Sequence, residues 1–408
     1  MASPKVKLTS LSKLFFNLKA ELKPISGESR VSVENAVNRI LSKDIFAKND
    51  NPPFDNSAID GFAINQEARS ASKNITLLEG LLRPGSRSRI KLKINEGIKI
   101  LTGAPIPAGT TRIIFKENTK EHNQKIHFVQ DDDVETNIRL RGEDFKKGDL
   151  LFKKNSQIRV TDLAALIGSG NSSISIVKPL KVGLIITGNE LNASIKRLSK
   201  GFIFDTNSIP LKSLLEKWGY SVVDMGSVGD DIGLLRKKIF DNLNCVDVFV
   251  TTGGVSTGQE DFVSQILSSE GQLINWRIAI KPGRPFICAK LGAKYVFGLP
   301  GNPVAAFICA LIILRPSLGR LGGEKEWFKP FSFKAKANFK KYKRRGRTEF
   351  LRANLNREDG FVSTFPLEGS GRLSSLSWSN GLVELSEEEQ DIDRGNTINF
   401  IPYGSFFQ

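Results

Sequence analysis

Between residues 182 and 314 short apolar runs alternate with amphipathic ones, and this alternation limits the possible fold more than any other feature of the chain. The runs 182–187, 220–226, 246–252, 276–280 and 295–299 read as strands, and 208–218, 231–242, 261–269 and 304–314 as helices. Strands that are apolar throughout are buried on both faces, so the helices must cover both sides of one parallel sheet. Ligands of such sheets bind beyond the carboxyl ends of the strands. Thr187-Gly188-Asn189-Glu190, Gly229-Asp230-Asp231, the stretch TTGGVSTGQED from Thr251 to Asp261, and Leu299-Pro300-Gly301-Asn302-Pro303 all fall on that rim.

Two of these turns carry the strongest chemical signal. Each follows a strand-like run and opens a helix-like one, so backbone N–H groups and a helix N-terminus face whatever binds there. Gly253, Gly254, Ser256 and Gly258 from the first, with Pro300, Gly301, Asn302 and Pro303 from the second, are therefore candidates for an anion cradle, phosphate or pterin in type. The chain has no Walker lysine motif and no G-x-G-x-x-G at the first helix, which leaves P-loop and dinucleotide binding unsupported. Glu190, Asp230 and Asp261, with Glu260 beside the last, are spaced so that one sheet could gather them into a hard-cation site. Acidic residues at strand ends also serve as caps of the following helices, and the pattern fits that role for Asp230 and Asp261. Lys281 and Arg284 follow a further strand, and Arg277 stands two periods of two before Lys281, which predicts that both face one side. These cations suit neutralisation of an anion.

Outside this region, 11–22 reads as a helix behind Thr9 or Ser10, and 33–41 as another behind Ser32. Pro52 and Pro53 forbid helix, and 54–63 reads as a loop entering a strand. Short strands at 75–78, 98–101, 112–115 and 126–129 form a β-rich unit, interrupted by a turn at 102–109 and closed by 137–149; 161–167 is a brief helix. After Gly322-Gly323, strands at 331–337, 348–355, 361–365 and 397–400 indicate a small barrel-like or sandwich-like domain. The basic run at 334–347, with Phe339 and Tyr342, has the composition of a nucleic-acid stripe, but its alternation favours an amphipathic strand.

Composition narrows the chemistry further. The 59 Lys and Arg against 43 Asp and Glu give a net charge of +16, which favours anionic partners without choosing among them. Cys245, Cys288 and Cys309 each sit in an apolar run and are expected to be buried. The two histidines, His122 and His127, lie in a polar stretch and are expected at the surface. Nucleophilic Ser-His-Asp or Cys-His chemistry and a histidine-ligated zinc are thereby disfavoured. Without a recognisable signal peptide, and with 304–314 too short to cross a bilayer, a cytoplasmic location is expected.

Seven ordered motifs then carry a resemblance that spans essentially the whole chain: PPFDNSAIDG at 52–61, TGAP at 102–105, TGNEL at 187–191, DTN at 205–207, GGVSTG at 253–258, IKPGRP at 280–285 and GLPGNP at 298–303. Together they resemble the molybdopterin molybdenumtransferase family, the MoeA and gephyrin E-domain group. The resemblance implies a multidomain α/β and β protein. A linking α+β domain would comprise 1–48 with 145–178, a β-rich inserted domain 49–144, an α/β/α molybdopterin-binding, MogA-like domain 179–325, and a C-terminal β-barrel-like domain 326–408. It further implies an elongated homodimer that takes adenylylated molybdopterin and molybdate, cleaves the pterin phosphate–AMP link with a divalent cation such as Mg²⁺, and inserts the metal into the dithiolene. Asp60 and Thr102 would then line the cleft from the β-rich domain of the other subunit. Glu190, Asp230 and Asp261 would serve metal and phosphate chemistry, and Lys281 and Arg277 would hold an oxyanion or phosphate. Two departures stand out: Arg277 where the family often has lysine, a planar fork in place of a point donor, and neutral Asn189 where it has aspartate. The pterin-adenylylating protein and apo-molybdoenzymes are implied as further partners; no membrane or nucleic-acid partner is expected. The competing readings are a binding protein on the same scaffold and a pterin adenylylase, for which the Asp60 motif would be superfluous.

Overall fold

The computed structural model describes residues 8–407 apart from 26, 67–74, 88, 130–135, 193–197, 257, 259, 260, 326, 327, 368 and 370. Helix α1 (Leu11–Glu21) begins at Ser10, whose side chain accepts from the Lys13 N–H, and buries Leu14 and Leu18. The helix expected at 33–41 is replaced by one 3₁₀ turn, Val33–Asn35, because Asn38 takes a left-handed φ of 64°. Val33, Ala36 and Leu41 instead bury with Ile45, Ile158 and Ile174 in a small separate core. Glu28–Ser32 pairs antiparallel with Ser173–Val177, and Ile45–Phe46 with Leu150–Phe152, so segments distant in sequence close one unit. Inserted between them is a six-stranded sheet in which Gly61–Asn65 lies between Glu96–Ile100 and Arg112–Phe115.

The central domain holds strands β1 (Lys181–Thr187), β2 (Ser221–Val228), β3 (Val248–Thr252), β4 (Gln272–Trp276), β5 (Ile287–Leu291) and β6 (Lys294–Leu299) in the order β2-β1-β3-β6-β5-β4. The sheet is mixed rather than parallel throughout: β2, β1, β3 and β6 run parallel, but β5 is antiparallel to both β6 and β4. Gly292, at a φ of 58°, begins the two-residue turn that reverses β5 into β6. The strand expected at 276–280 is broken as well. β4 ends at Trp276, Arg277 adopts a φ of 60°, and Ile280–Lys281 pairs with the C-terminal domain, so Arg277 and Lys281 do not share one pleated strand.

Helices α2 (Ser208–Lys217) and α5 (Pro303–Leu321) join α1 on one face of this sheet, where Leu211, Leu215, Val304 and Leu311 meet Val182, Leu184, Val250 and Phe297. Helices α3 (Ile232–Asp241) and α4 (Phe262–Glu270) cover the other, packing Leu235, Ile239, Val263 and Leu267 on Ile185, Phe249 and Val296. Consecutive strand residues thus serve opposite cores. α5 continues past the expected end at 314, with a π-helical stretch at Ala310–Leu314 ahead of Pro316, which lacks an N–H for the regular ladder. Its length and apolarity would allow it to cross a membrane, but its most apolar window is 89% buried within the protein.

Strands β7 (Phe333–Ala337), β8 (Thr348–Leu355), β9 (Phe361–Thr364), β10 (Gly381–Leu385) and β11 (Thr397–Pro402) close into a five-stranded ring, β8-β9-β7-β11-β10-β8. Residues 334–337 of the basic run form an amphipathic strand, with Ala335 and Ala337 inward and Lys334 and Lys336 outward, whereas Lys341–Lys343 is a separate short strand paired with Gln390–Ile392 in which Lys343 is buried. The barrel is docked on the central domain where Ile280–Lys281 runs parallel to Thr348 and Glu349, where Trp218 Nε1 donates to the Phe406 carbonyl at 2.8 Å, and where Phe328 packs on Phe406; at the end of α5 Arg315 Nη1 donates to Glu324 Oε1 at 2.7 Å. The Arg315 side chain is 1% exposed and lies over the rings of Phe328 and Trp218. Cys288 and Cys309 are buried, which pushes their thiol pKa values well up, but Cys245, expected inside, is exposed in the turn after α3. His127 is partly exposed and His122 exposed.

Candidate functional site

The two glycine turns meet as their strands require. β3 and β6 are parallel neighbours, with Thr251 opposite Gly298 and Thr252 opposite Leu299, and the Gly253 N–H donates to the Leu299 carbonyl at 3.1 Å. Gly301 lies against Gly253, where a Cβ would make an ordinary contact of 3.4 Å with the Gly253 Cα. Gly253 itself has a φ of 86°, and a Cβ on it would come within 2.5 Å of Thr187 Oγ1, so only glycine meets both demands. Asn302 caps α5, its side chain accepting from the Ala305 N–H, with Pro303 at the first helical position. Asn207 extends the rim: its Nδ2 donates to the Gly301 carbonyl at 2.8 Å, and Asp205 Oδ1 accepts from the N–H groups of Asn207 and Ser208 at the start of α2.

These turns border a cleft of about 560 Å³ that also receives Glu190, Asp230 and Asp261, together with Gly258 and Pro303. The capping roles open to two of the carboxylates are not taken. Asp231 caps α3, accepting from the Leu234 N–H at 2.8 Å. Asp230 Oδ2 accepts from the Asn189 N–H at 3.1 Å while the Asp230 N–H donates to Asn189 Oδ1 at 2.9 Å, a reciprocal clamp between two strand ends. Asp261 Oδ2 accepts from the Gly258 N–H and makes no cap bond with α4. Among the described residues no three carboxylate, histidine or cysteine side chains converge as a metal-ligand set. The three acids therefore share a cleft without forming a closed cage; hard oxygen donors on an open rim fit a cation that completes its shell with phosphate and water. Glu260 lies outside the described residues. Ser256, Pro300 and Asn302 shape the turns rather than line the cleft.

Lys281 belongs elsewhere. It lines a second pocket of about 160 Å³ between the central domain and the barrel, together with Lys340, Lys341, Glu349 and Arg352. Lys281 Nζ and Lys341 Nζ each lie 3.4 Å from Glu349 Oε2. Arg352 donates to the Gly369 carbonyl at 2.9 Å and to Ser375 Oγ at 3.1 Å. Arg277 and Arg284 line neither pocket; the backbone between them is fixed by Arg277 N–H to Phe286 O and Ile278 N–H to Arg284 O. Asp60 and Thr102 do not reach the cleft of their own chain. They face each other in the inserted sheet, where the Thr102 N–H and Oγ1 both donate to Asp60 Oδ1 at 2.7 Å and hold its carboxyl below the usual range. The residues that the motif reading left out of the site are Thr206 and Asn207 on the cleft wall, and Lys341 and Arg352 beside Lys281. Asp205-Thr206-Asn207 announces the first pair as an Asx turn before a helix; the second pair comes from strands whose lysines and arginines look like any solvated face.

A cleft of glycine turns, helix N-termini and carboxylates at the rim of an α/β sheet defines a protein suited to a phosphorylated ligand. Residues 9–170 match the MoeA N-terminal region (domain I and II), 183–320 a profile described as "Probable molybdopterin binding domain", and 334–403 the MoeA C-terminal region (domain IV). A molybdopterin molybdenumtransferase from Haemophilus influenzae is 34% identical over 377 residues, covering 91% of this chain and 93% of that one. One from Nostoc is 26% identical over 407 residues, covering 97% and 93%. The crystal structure of the molybdopterin biosynthesis moeA protein from Pyrococcus horikoshii OT3 superposes with a TM-score of 0.82 at 30% identity, covering 97% of this chain and all of that one. The chain belongs to the molybdopterin molybdenumtransferase family.

Proposed function

We propose that this protein inserts molybdate into adenylylated molybdopterin, releasing AMP and giving the molybdenum cofactor. The observation that carries the reading is the meeting of two glycine turns and a helix N-terminus with Glu190, Asp230 and Asp261 in one cleft. The turns offer N–H groups to the phosphates of the pterin–AMP link. Glu190, Asp230 and Asp261 would hold Mg²⁺, which when bound neutralises charge developing on the phosphoryl oxygens. Cleavage of the phosphoanhydride by water gives AMP and leaves the phosphate on the pterin. Lys281, Lys341 and Arg352 form the basic pocket best suited to a tetrahedral oxyanion, with Glu349 holding two of these cations in place. Asp60 and Thr102, remote from the cleft of their own chain, are read as lining that of a second copy in a homodimer, with Asp60 ionised. A cytoplasmic enzyme that receives its pterin from the adenylylating protein and delivers to apo-molybdoenzymes completes the reading.

The test is release of AMP from adenylylated molybdopterin by the purified protein, with and without molybdate and Mg²⁺. Release dependent on both supports the reading; AMP release indifferent to molybdate, or pterin adenylylation from ATP, refutes it. Asp261→Asn is expected to lose the metal-dependent release with its fold intact, and wild-type rates in that variant would remove Asp261 from the metal site.

A further inference from the structure

Two basic runs of the chain differ in how their charge is met. In the barrel, Lys340, Lys341 and Arg345 pair with Asp393, Glu349 and Glu388, and the buried Lys343 donates to the Arg344 and Glu388 carbonyls. The run from Arg83 to Lys93 in the inserted domain has no such partners. It carries Arg83, Arg87, Arg89, Lys91 and Lys93, all exposed, and the chain holds no carboxylate between Glu79 and Glu96. The Glu96 carboxylate is taken by the Lys93 N–H at 2.8 Å, and among the described residues none of the five cations forms an ion pair.

This basic segment is fixed to the turn at 101–109. Leu92 is 1% exposed and Ile90 packs on the same core as Ile98, Ile100 and Ala104, which leaves the alternating Arg89, Lys91 and Lys93 outward. The Leu92 N–H donates to the Ala108 carbonyl at 2.9 Å, and the Leu92 carbonyl accepts from Asn65 Nδ2 at 3.0 Å. Gly109, at a φ of 86°, permits this approach, since a Cβ on it would stand 2.5 Å from the Leu92 carbonyl. At the other end the Leu101 N–H donates to the Leu82 carbonyl at 2.9 Å, and a Cβ on Gly103 would meet Pro84 at 3.7 Å. The cations therefore lie along the turn that bears Thr102, the partner of Asp60.

We propose that Arg83, Arg87, Arg89, Lys91 and Lys93 form a capture surface that speeds entry of the anionic pterin substrate into the cleft lined by Asp60 and Thr102. The inference rests on the function proposed above, in which that cleft belongs to a second copy. A cleft holding Glu190, Asp230 and Asp261 repels an approaching anion, so attraction has to come from its surroundings. Cations that no carboxylate neutralises sum their fields, and such surfaces raise association rates of charged ligands by about 10–10³-fold. They act at a distance and need not touch the bound ligand. Nucleic acid would feel the same charge, but residues 83–93 hold no aromatic ring on which bases could stack.

The experiment is stopped-flow association of adenylylated molybdopterin with the full chain, followed by pterin fluorescence with molybdate omitted. At about 0.01 M ionic strength, where charges act over roughly 30 Å, Arg87→Gln/Arg89→Gln/Lys91→Gln should lower the association rate constant about tenfold and leave dissociation unchanged. At about 1 M, where the range falls to roughly 3 Å, variant and wild type should agree. Arg87→Lys/Arg89→Lys, which keeps the charge and loses the planar fork, should match the wild type throughout. Equal association rates at low salt overturn the proposal. So does a deficit that persists at high salt or appears as faster dissociation, which would make these residues supports of the fold or direct contacts. Turnover is not read, so failure of the proposed function would appear separately, as AMP release indifferent to molybdate. A wild type that binds no adenylylated molybdopterin overturns both.

Discussion

Removing the Glu324 carboxylate tests a desolvated ion pair at the end of α5, beneath the barrel junction. Arg315 and Glu324 have side chains only 1% and 14% exposed, joined by a bond of 2.7 Å. With Glu324→Ala the Arg315 guanidinium stays buried between Phe328 and Trp218 and loses its carboxylate; Arg315 Nε already has no partner. Breaking one side of a desolvated pair typically costs about 3–5 kcal/mol, since the stranded charge can neither solvate nor neutralise. Glu324→Gln keeps an acceptor and should cost less than the alanine. The double variant Arg315→Met/Glu324→Ala removes the stranded charge and should recover most of the loss. Urea unfolding followed by tryptophan fluorescence is the assay, because Trp218 lies 6.0 Å from the guanidinium and reports on this junction. A Glu324→Ala midpoint equal to that of the wild type, or a double variant worse than the single, would refute the claim that the pair is desolvated.

Two other expectations concern pH and the cleft. Asp162 is 6% exposed and accepts from the Arg159 backbone and guanidinium; the guanidinium bonds foremost hold its pKa below the usual value. Its folded pKa being the lower, its contribution to stability is complete above the unfolded value of about 4 and is lost as pH falls through the folded value. Asp162→Asn should therefore flatten part of the acid limb of a stability–pH curve; an unchanged limb would contradict this. Asn189→Ala removes the acceptor of the Asp230 N–H while the Asn189 N–H still donates to the carboxylate, and should raise the Mg²⁺ concentration needed for AMP release roughly two- to tenfold, a factor set by one ordinary hydrogen bond. Asn189→Asp should restore it, and an alanine variant with wild-type Mg²⁺ dependence would sever Asn189 from the site.

Much of this architecture was legible in the sequence where local pattern and tertiary environment agree. Apolar strands 182–187 and 246–252, with helices between them, could be buried only in one way, and the glycines at 253 and 254 announced a left-handed turn that L side chains rarely adopt. The reading failed where direction or context decided. The reading contains no strand at 287–291, and it is the Gly292-Ala293 turn that folds these residues back antiparallel to β6. Residues 33–41 have helical spacing, but the left-handed Asn38 breaks them and their apolar side chains find partners more than a hundred residues away. Spacing also overreached for Arg277 and Lys281, because a period of two holds only while the strand continues, and this one stops at Trp276. The three acids of the cleft were readable as neighbours, whereas the Asn189–Asp230 clamp required the turn geometry of two separate strand ends.

Helix α5 begins at Asn302 beside the cradle, and its seven-residue C-terminal stretch opens with Arg315 at the barrel junction. At about 1.5 Å per residue, its 19 residues form a rod of roughly 28 Å. Separation between the glycine turn and the barrel junction is thus measured by a ruler instead of being left to loops. A single residue inserted into that ruler would turn everything beyond it by about 100° and swing Arg315 away from Trp218 at the end of α2. Any change in the spacing of the two ends must therefore come in whole helical turns, so the length of this helix should be far less free to drift than that of the surface connections.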